Sequence, residues 1–122
     1  MVVGTGIDVI EVERIAHAAR RDAFLKRIFT PREQAYYRQC GCSPQTLAGM
    51  FAAKEATVKA LAASFSGIGW REIEILRDSD GAPYARLGEV AKKRMQALGG
   101  TTIRLSIALI NSMAVAQAIL EA

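Results

Sequence analysis

The apolar positions divide the chain into short stretches of different period. Val2 to Ile10 is apolar and rich in β-branched residues, broken only by Gly4, Thr5, Gly6 and Asp8, and predicts a buried strand. Glu11 to Ala19, acidic first and alanine-bearing later, predicts a helix carrying Arg14 and His17, and Asp22 to Phe29 predicts a second short helix. Thr30-Pro31-Arg32-Glu33 is a start signal, with Thr30 as N-cap, Pro31 at the first helical position and Glu33 closing a capping box. That helix should stop near Gly41, leaving Ser43–Pro44 in a loop. The longest helical pattern runs from about Gln45 to Ala63, with Leu47, Phe51, Val58 and Leu61 among alanines.

Ser64 to Gly69 reads as a glycine-bearing turn. Ile73 and Ile75 alternate with Glu72 and Glu74, the pattern of a half-buried strand. Ser79-Asp80-Gly81 marks a hairpin turn, and Pro83 to Leu87 returns as an edge strand. Gly88 to Leu98 is an amphipathic helix stopped by Gly99–Gly100. Thr102–Ile110 and Met113–Leu120 predict two strands around Asn111–Ser112, although the alanines of the second also admit a helix. No repeat, linker or low-complexity tract appears, so the expectation is one α+β domain over 1–122, an antiparallel sheet packed with a long central helix.

Composition narrows the function classes. The 51% apolar and 23% charged residues exclude a disordered chain, and no stretch approaches the ~20 apolar residues of a membrane-spanning helix. The first ten residues lack a basic leader region and carry Asp8, a poor signal peptide, so the expected compartment is the cytoplasm, with no membrane partner. Cys40 and Cys42 are too close for an ordinary disulfide and too few for a zinc site, and read as reduced loop thiols. The net charge of +4 gathers between Arg14 and Arg38, where Arg14, Arg20, Arg21, Lys26, Arg27, Arg32 and Arg38 face only Asp22 and Glu33. Such a stretch attracts a polyanion, nucleic acid or an acidic protein surface, or else forms a solvated helix face. With no nucleic-acid motif and little aromatic interleaving, nucleic acid is not the expected partner.

Three residues carry candidate chemistry. Asp8, an acid inside an apolar strand, must reach solvent at the strand's end or bind a cation. Glu55 and Lys59 share one face of the long helix at a spacing that also suits an ordinary surface ion pair. Lys54 is rotated about 100° from Glu55 and need not share its site. Two carboxylates from separate elements suit one magnesium ion, which takes phosphate oxygens and water as its other ligands, and a lysine one turn away can neutralise charge building on a phosphate. No GxxxxGK[ST] loop is present, which excludes a P-loop enzyme.

The motifs as a set resemble the phosphopantetheinyl transferases, in particular the small holo-acyl-carrier-protein synthase type. The resemblance covers nearly the whole chain. It rests on GIDVIEVERI at Gly6–Ile15, FAAKEATVKAL at Phe51–Leu61, Gly67–Gly69, EIEILRDSDGAPY at Glu72–Tyr84, and LSI with AVAQAILE between Leu105 and Glu121. It implies transfer of 4′-phosphopantetheine from coenzyme A to a serine of an apo acyl carrier protein, with release of 3′,5′-ADP. It further implies Mg2+ held by Asp8 and Glu55, catalysis by Asp8, Glu55 and Lys59, and coenzyme contacts from Lys54, Lys59 and Ser106. A homotrimer with sites at subunit boundaries is implied, as is docking of an acidic carrier helix on Arg14, Arg20 and Arg21. Carriers of fatty-acid, polyketide and peptide synthesis all present such helices, so the pathway is left open. The chain departs from the family pattern twice: Met50 stands where an arginine is common, and Leu109 where a histidine commonly contacts a coenzyme phosphate. These departures motivate a second reading, a carrier-protein-binding module that kept the fold without efficient transfer.

Overall fold

In chain order the elements are β1 (Val2–Glu11), α1 (Val12–Ala18), α2 (Asp22–Ile28), α3 (Pro31–Gln39), α4 (Pro44–Ala60), a 3-10 turn (Trp70–Glu72), β2 (Ile73–Arg77), β3 (Pro83–Leu87), α5 (Glu89–Ala97), β4 (Thr102–Leu109) and β5 (Met113–Glu121). The structure, a computed structural model, describes residues 1–62 and 67–122. The expected helix end at Ala63 and the first half of the expected turn over Ser64–Gly69 lie outside the described residues.

β1, β5 and β4 form an antiparallel sheet in the order β1-β5-β4, and β2 and β3 form a separate hairpin. Register settles which residues share a face. Gly6 lies opposite Ala118, Asp8 opposite Ala116 and Ile10 opposite Ala114 on one side of β5, with Leu105, Ile107 and Leu109 opposite the same three alanines on the other. This inner face carries α4. Gly4 and Gly6 are there because the helix backbone touches the strand: a Cβ on Gly6 would stand 1.9 Å from the Ala56 carbonyl oxygen, and one on Gly4 2.2 Å from that of Ala60. The facing alanines, Ala52, Ala53, Ala56 and Ala60 on α4 and Ala114, Ala116 and Ala118 on β5, are buried and permit the same close approach. Larger volume comes from Phe29, Leu47, Leu61, Ile73, Ile75 and Leu120, all essentially inaccessible and each worth roughly 1.5–3 kcal/mol of burial. The alanine-rich segment after Asn111–Ser112 is therefore a strand; the helical alternative fails because its alternate alanines face α4.

The α3 capping box forms as the sequence predicts. The Glu33 N–H donates to Thr30 Oγ1 (3.2 Å), and the Thr30 N–H donates to Glu33 Oε1 (2.9 Å). Ser43–Pro44 is no loop. Ser43 is the N-cap of α4, accepting from the Thr46 N–H, and Pro44 is its first residue, a second cap-plus-proline start. Cys40 and Cys42 are free and exposed, with Gly41 and Cys42 both at positive φ in the turn that separates α3 from α4.

Candidate functional site

Two elements meet to build the site. The glycine contacts above clamp α4 onto β1 at Ala56, one residue from Glu55, while Asp8 lies two residues beyond Gly6 on the same strand face. Helical side chains lean toward their N-terminus, so Lys59 reaches back along α4 to the strand. Its ammonium donates to Asp8 Oδ1 at 3.1 Å and to the Ile7 carbonyl at 3.0 Å. The expected Glu55–Lys59 surface pair is not what forms: among the described residues, Lys59's ion-pair partner is Asp8.

The Asp8 side chain is only 15% exposed, so it does not escape to solvent at a strand end. Its Oδ2 is buried and has no hydrogen-bond partner, an unmet acceptor on a charged group. Glu55 is half-buried, and its carboxyl is pushed above the ordinary value of 4.5, first by burial and then by the Asp8 charge, with Lys59 opposing. A carboxyl whose ionisation its neighbour's charge opposes, beside a carboxylate with an unpaired oxygen, suits a shared cation. Among the described residues no group of three or more His, Cys, Asp or Glu is arranged for a metal, so such an ion would draw its remaining ligands from water or substrate.

Lys54 must be removed from the coenzyme-contacting set. Its ammonium is wholly buried, paired with Glu33 at 2.7 Å and donating to the carbonyls of Trp70 (2.9 Å) and Ile73. Glu33 also accepts from the Ile75 N–H at 2.8 Å. The pair thus straps α3 and α4 to the start of β2. Burial pushes Glu33 up and Lys54 down, each partly offset by the other. The 100° rotation between Lys54 and Glu55 is the signal that separates the strut from the site.

Ser106 is also displaced from the expected constellation. It lies opposite Gln117, itself opposite Ile7, which puts it on the outer sheet face, with β4 and β5 between it and α4. Strand alternation sends neighbouring residues to opposite faces, and Asp8 is on the other one. Beyond Ser106 and Gln117 the outer face carries exposed apolar residues. Ile7 and Val9 are 59% and 52% exposed, and Val9 lies opposite Val115, itself opposite Ala108. Leu109, on the inner face, is explained locally: its δ carbons lie over Gly49, where a Cβ would stand 3.0 Å away. Met50 is buried in the core.

Arg14, Arg20 and Arg21 are exposed, but not along one helix. α1 ends at Ala18 and α2 starts at Asp22, so the seven-residue spacing of Arg14 and Arg21 crosses a turn. Arg14 borders a shallow depression with Glu11, Glu13 and His17. Arg21 borders a hollow of about 370 Å³ lined by Phe24, Arg27, Ile28, Phe51 and Trp70. Phe51 stacks on Trp70 with centroids 5.2 Å apart. This aromatic hollow is absent from the sequence reading, because Phe24, Phe51 and Trp70 come from three separate elements and no local pattern brings them together.

Residues 4–110 match the family model described as the 4′-phosphopantetheinyl transferase superfamily. The chain is 46% identical over 121 residues to a holo-[acyl-carrier-protein] synthase of Caldicellulosiruptor saccharolyticus, covering 99% of this chain and 98% of the relative. It superposes on the crystal structure of the Neisseria meningitidis holo-[acyl-carrier-protein] synthase with a TM-score of 0.86 and 30% identity, covering all of both chains. A Bacillus anthracis holo-(acyl-carrier-protein) synthase in complex with CoA (3′,5′-ADP) is similar at a TM-score of 0.80 and 31% identity, covering 100% of this chain and 98% of that one.

Proposed function

The chain belongs to the 4′-phosphopantetheinyl transferase superfamily and is a phosphopantetheinyl transferase of the holo-acyl-carrier-protein synthase type, and from that premise we propose how its residues divide the reaction. The substrates are coenzyme A and a serine of an acidic apo acyl carrier protein, and the second product is 3′,5′-ADP. The serine oxygen bonds to the phosphorus that carries pantetheine, and the diphosphate P–O bond on its other side breaks. Asp8 and Glu55 hold Mg2+, a role supported by the buried, unpaired Asp8 Oδ2 and by the Asp8 charge that acts on Glu55. Held by these two carboxylates, Mg2+ would draw charge from the diphosphate and lower the pKa of the attacking hydroxyl or of an activating water. Lys59 neutralises or protonates the departing phosphate, for which its half-exposed ammonium is suited and the buried Lys54 is not. The observation that carries this reading is the meeting of Asp8, Glu55 and Lys59 where β1 crosses α4.

The carrier docks beside the aromatic hollow, its acidic helix against Arg14, Arg20 and Arg21 and an apolar side chain in the hollow; the adjoining cations and the half-buried aromatics that line it support this partner. The active form is a homotrimer, supported by the exposed Ile7 and Val9 on the outer sheet face, and Ser106 contacts coenzyme across that boundary rather than beside its own Asp8. The reading is tested by incubating the protein with coenzyme A and apo-carrier, with and without magnesium, and following the carrier's intact mass and free 3′,5′-ADP. Equal amounts of modified carrier and 3′,5′-ADP, formed only with magnesium, are expected. Carrier binding with no mass gain in magnesium would overturn it.

A further inference from the structure

We infer that Lys59 is the place-holder for the metal: in the metal-free enzyme its ammonium occupies the cation position at Asp8 and must leave before an ion can bind there. The inference rests on the reading of Asp8 and Glu55 as metal ligands. Asp8 offers solvent no free oxygen. Oδ1 accepts from Lys59 at 3.1 Å, and Oδ2 is buried without a partner. The Ile7 carbonyl, at 3.0 Å, gives the ammonium a second anchor and fixes it beside the carboxylate.

Nothing locks the lysine in that position permanently. Its side chain is 46% exposed, and a half-solvated ion pair is weak enough for a dication to displace. Glu55, one turn earlier on the same helix, adds a second negative charge that favours the doubly charged occupant. Once displaced, the ammonium is free for the phosphate, so that binding the ion and deploying the catalytic lysine are one event. Lys59 thereby opposes metal binding in the resting enzyme and serves the reaction after it.

The test is binding of Mn2+, without coenzyme, to the metal-free wild-type, Lys59→Met and Asp8→Ala proteins, read by electron paramagnetic resonance of the free ion. Lysine-ammonium nuclear magnetic resonance of the wild type during Mg2+ addition accompanies it. Lys59→Met is expected to bind Mn2+ at least tenfold more tightly than wild type, and Mg2+ to move the Lys59 ammonium signal to that of a solvated lysine. Equal or weaker binding by Lys59→Met, or a Lys59 ammonium still bonded to Asp8 with the ion bound, overturns the inference. Asp8→Ala separates the two levels: weakened binding in that variant keeps the metal reading even then. Ion binding that Asp8→Ala leaves unchanged overturns the metal reading and the inference with it.

Discussion

Glu55 carries the cost of the site at the scale of single residues. Its carboxyl is raised above 4.5 by burial and by Asp8, so in the folded protein it takes up a proton at higher pH than in the unfolded chain. The sign follows. Folding favours the protonated form, and stability from this group is lost as pH rises from the unfolded value through the folded one. Glu55→Gln should therefore raise the Tm of the metal-free protein at pH 7, with the gain shrinking below pH 4.5. Thermal denaturation from pH 4 to 8 measures it, and a lower Tm at neutral pH would mean that Glu55 is favourably paired. The sequence offers Asp8 and Glu55 as two carboxylates that could share one ion, and the motif resemblance is what singles them out as a pair. The open Oδ2 of Asp8 and the bond that turns Lys59 away from Glu55 depend on how strand and helix cross, which no local pattern encodes.

Helix α4 and strand β1 position these residues, and Gly6 sets the distance between them. A methyl group there would lie 1.9 Å from the Ala56 carbonyl and 2.8 Å from the Ala60 nitrogen, both backbone atoms that cannot swing aside. Gly6→Ala is predicted to cost about 3 kcal/mol by pushing α4 off the sheet, and to lower transfer by separating Glu55 from Asp8. Urea denaturation checks the first effect, and unchanged stability would contradict the packing described. Lys54→Met tests the other side of α4. It strands Glu33 as a buried charge and should cost about 3–5 kcal/mol. Replacing both partners, Glu33→Leu with Lys54→Met, should recover much of that loss in the same denaturation experiment. Element boundaries were readable where a cap announces them, as at Thr30–Glu33. Ser43–Pro44 carries the same kind of signal, hidden by the neighbouring Cys-Gly-Cys turn. The face of Ser106 was not readable, because its register depends on Gln117 and Ile7 far away in the chain.

Across the whole molecule, basic and apolar surfaces lie side by side where α1, α2 and α4 meet, and the charge of +4 is concentrated there rather than spread. The basic segment was legible from the sequence as an anion-seeking surface. The break between α1 and α2, which puts Arg14 and Arg21 on different elements, was legible too, as one helical stretch ending at Ala19 and another beginning at Asp22. If these arginines dock the carrier, reversing both to Glu should raise the carrier's KM at low salt and leave that of coenzyme A nearly unchanged. Exposed pairs are screened over about 8–10 Å at physiological ionic strength, so the wild-type carrier KM should also rise with salt. A salt-independent carrier KM would remove the docking role, and a shift mainly in the coenzyme KM would move these arginines to the coenzyme. The account stands most directly on the transfer rate measured against magnesium concentration for wild type, Asp8→Ala and Glu55→Ala. Wild-type turnover should rise with magnesium and saturate, while each variant loses at least about a hundredfold at every concentration. Near-wild-type turnover of either variant at limiting magnesium would contradict it.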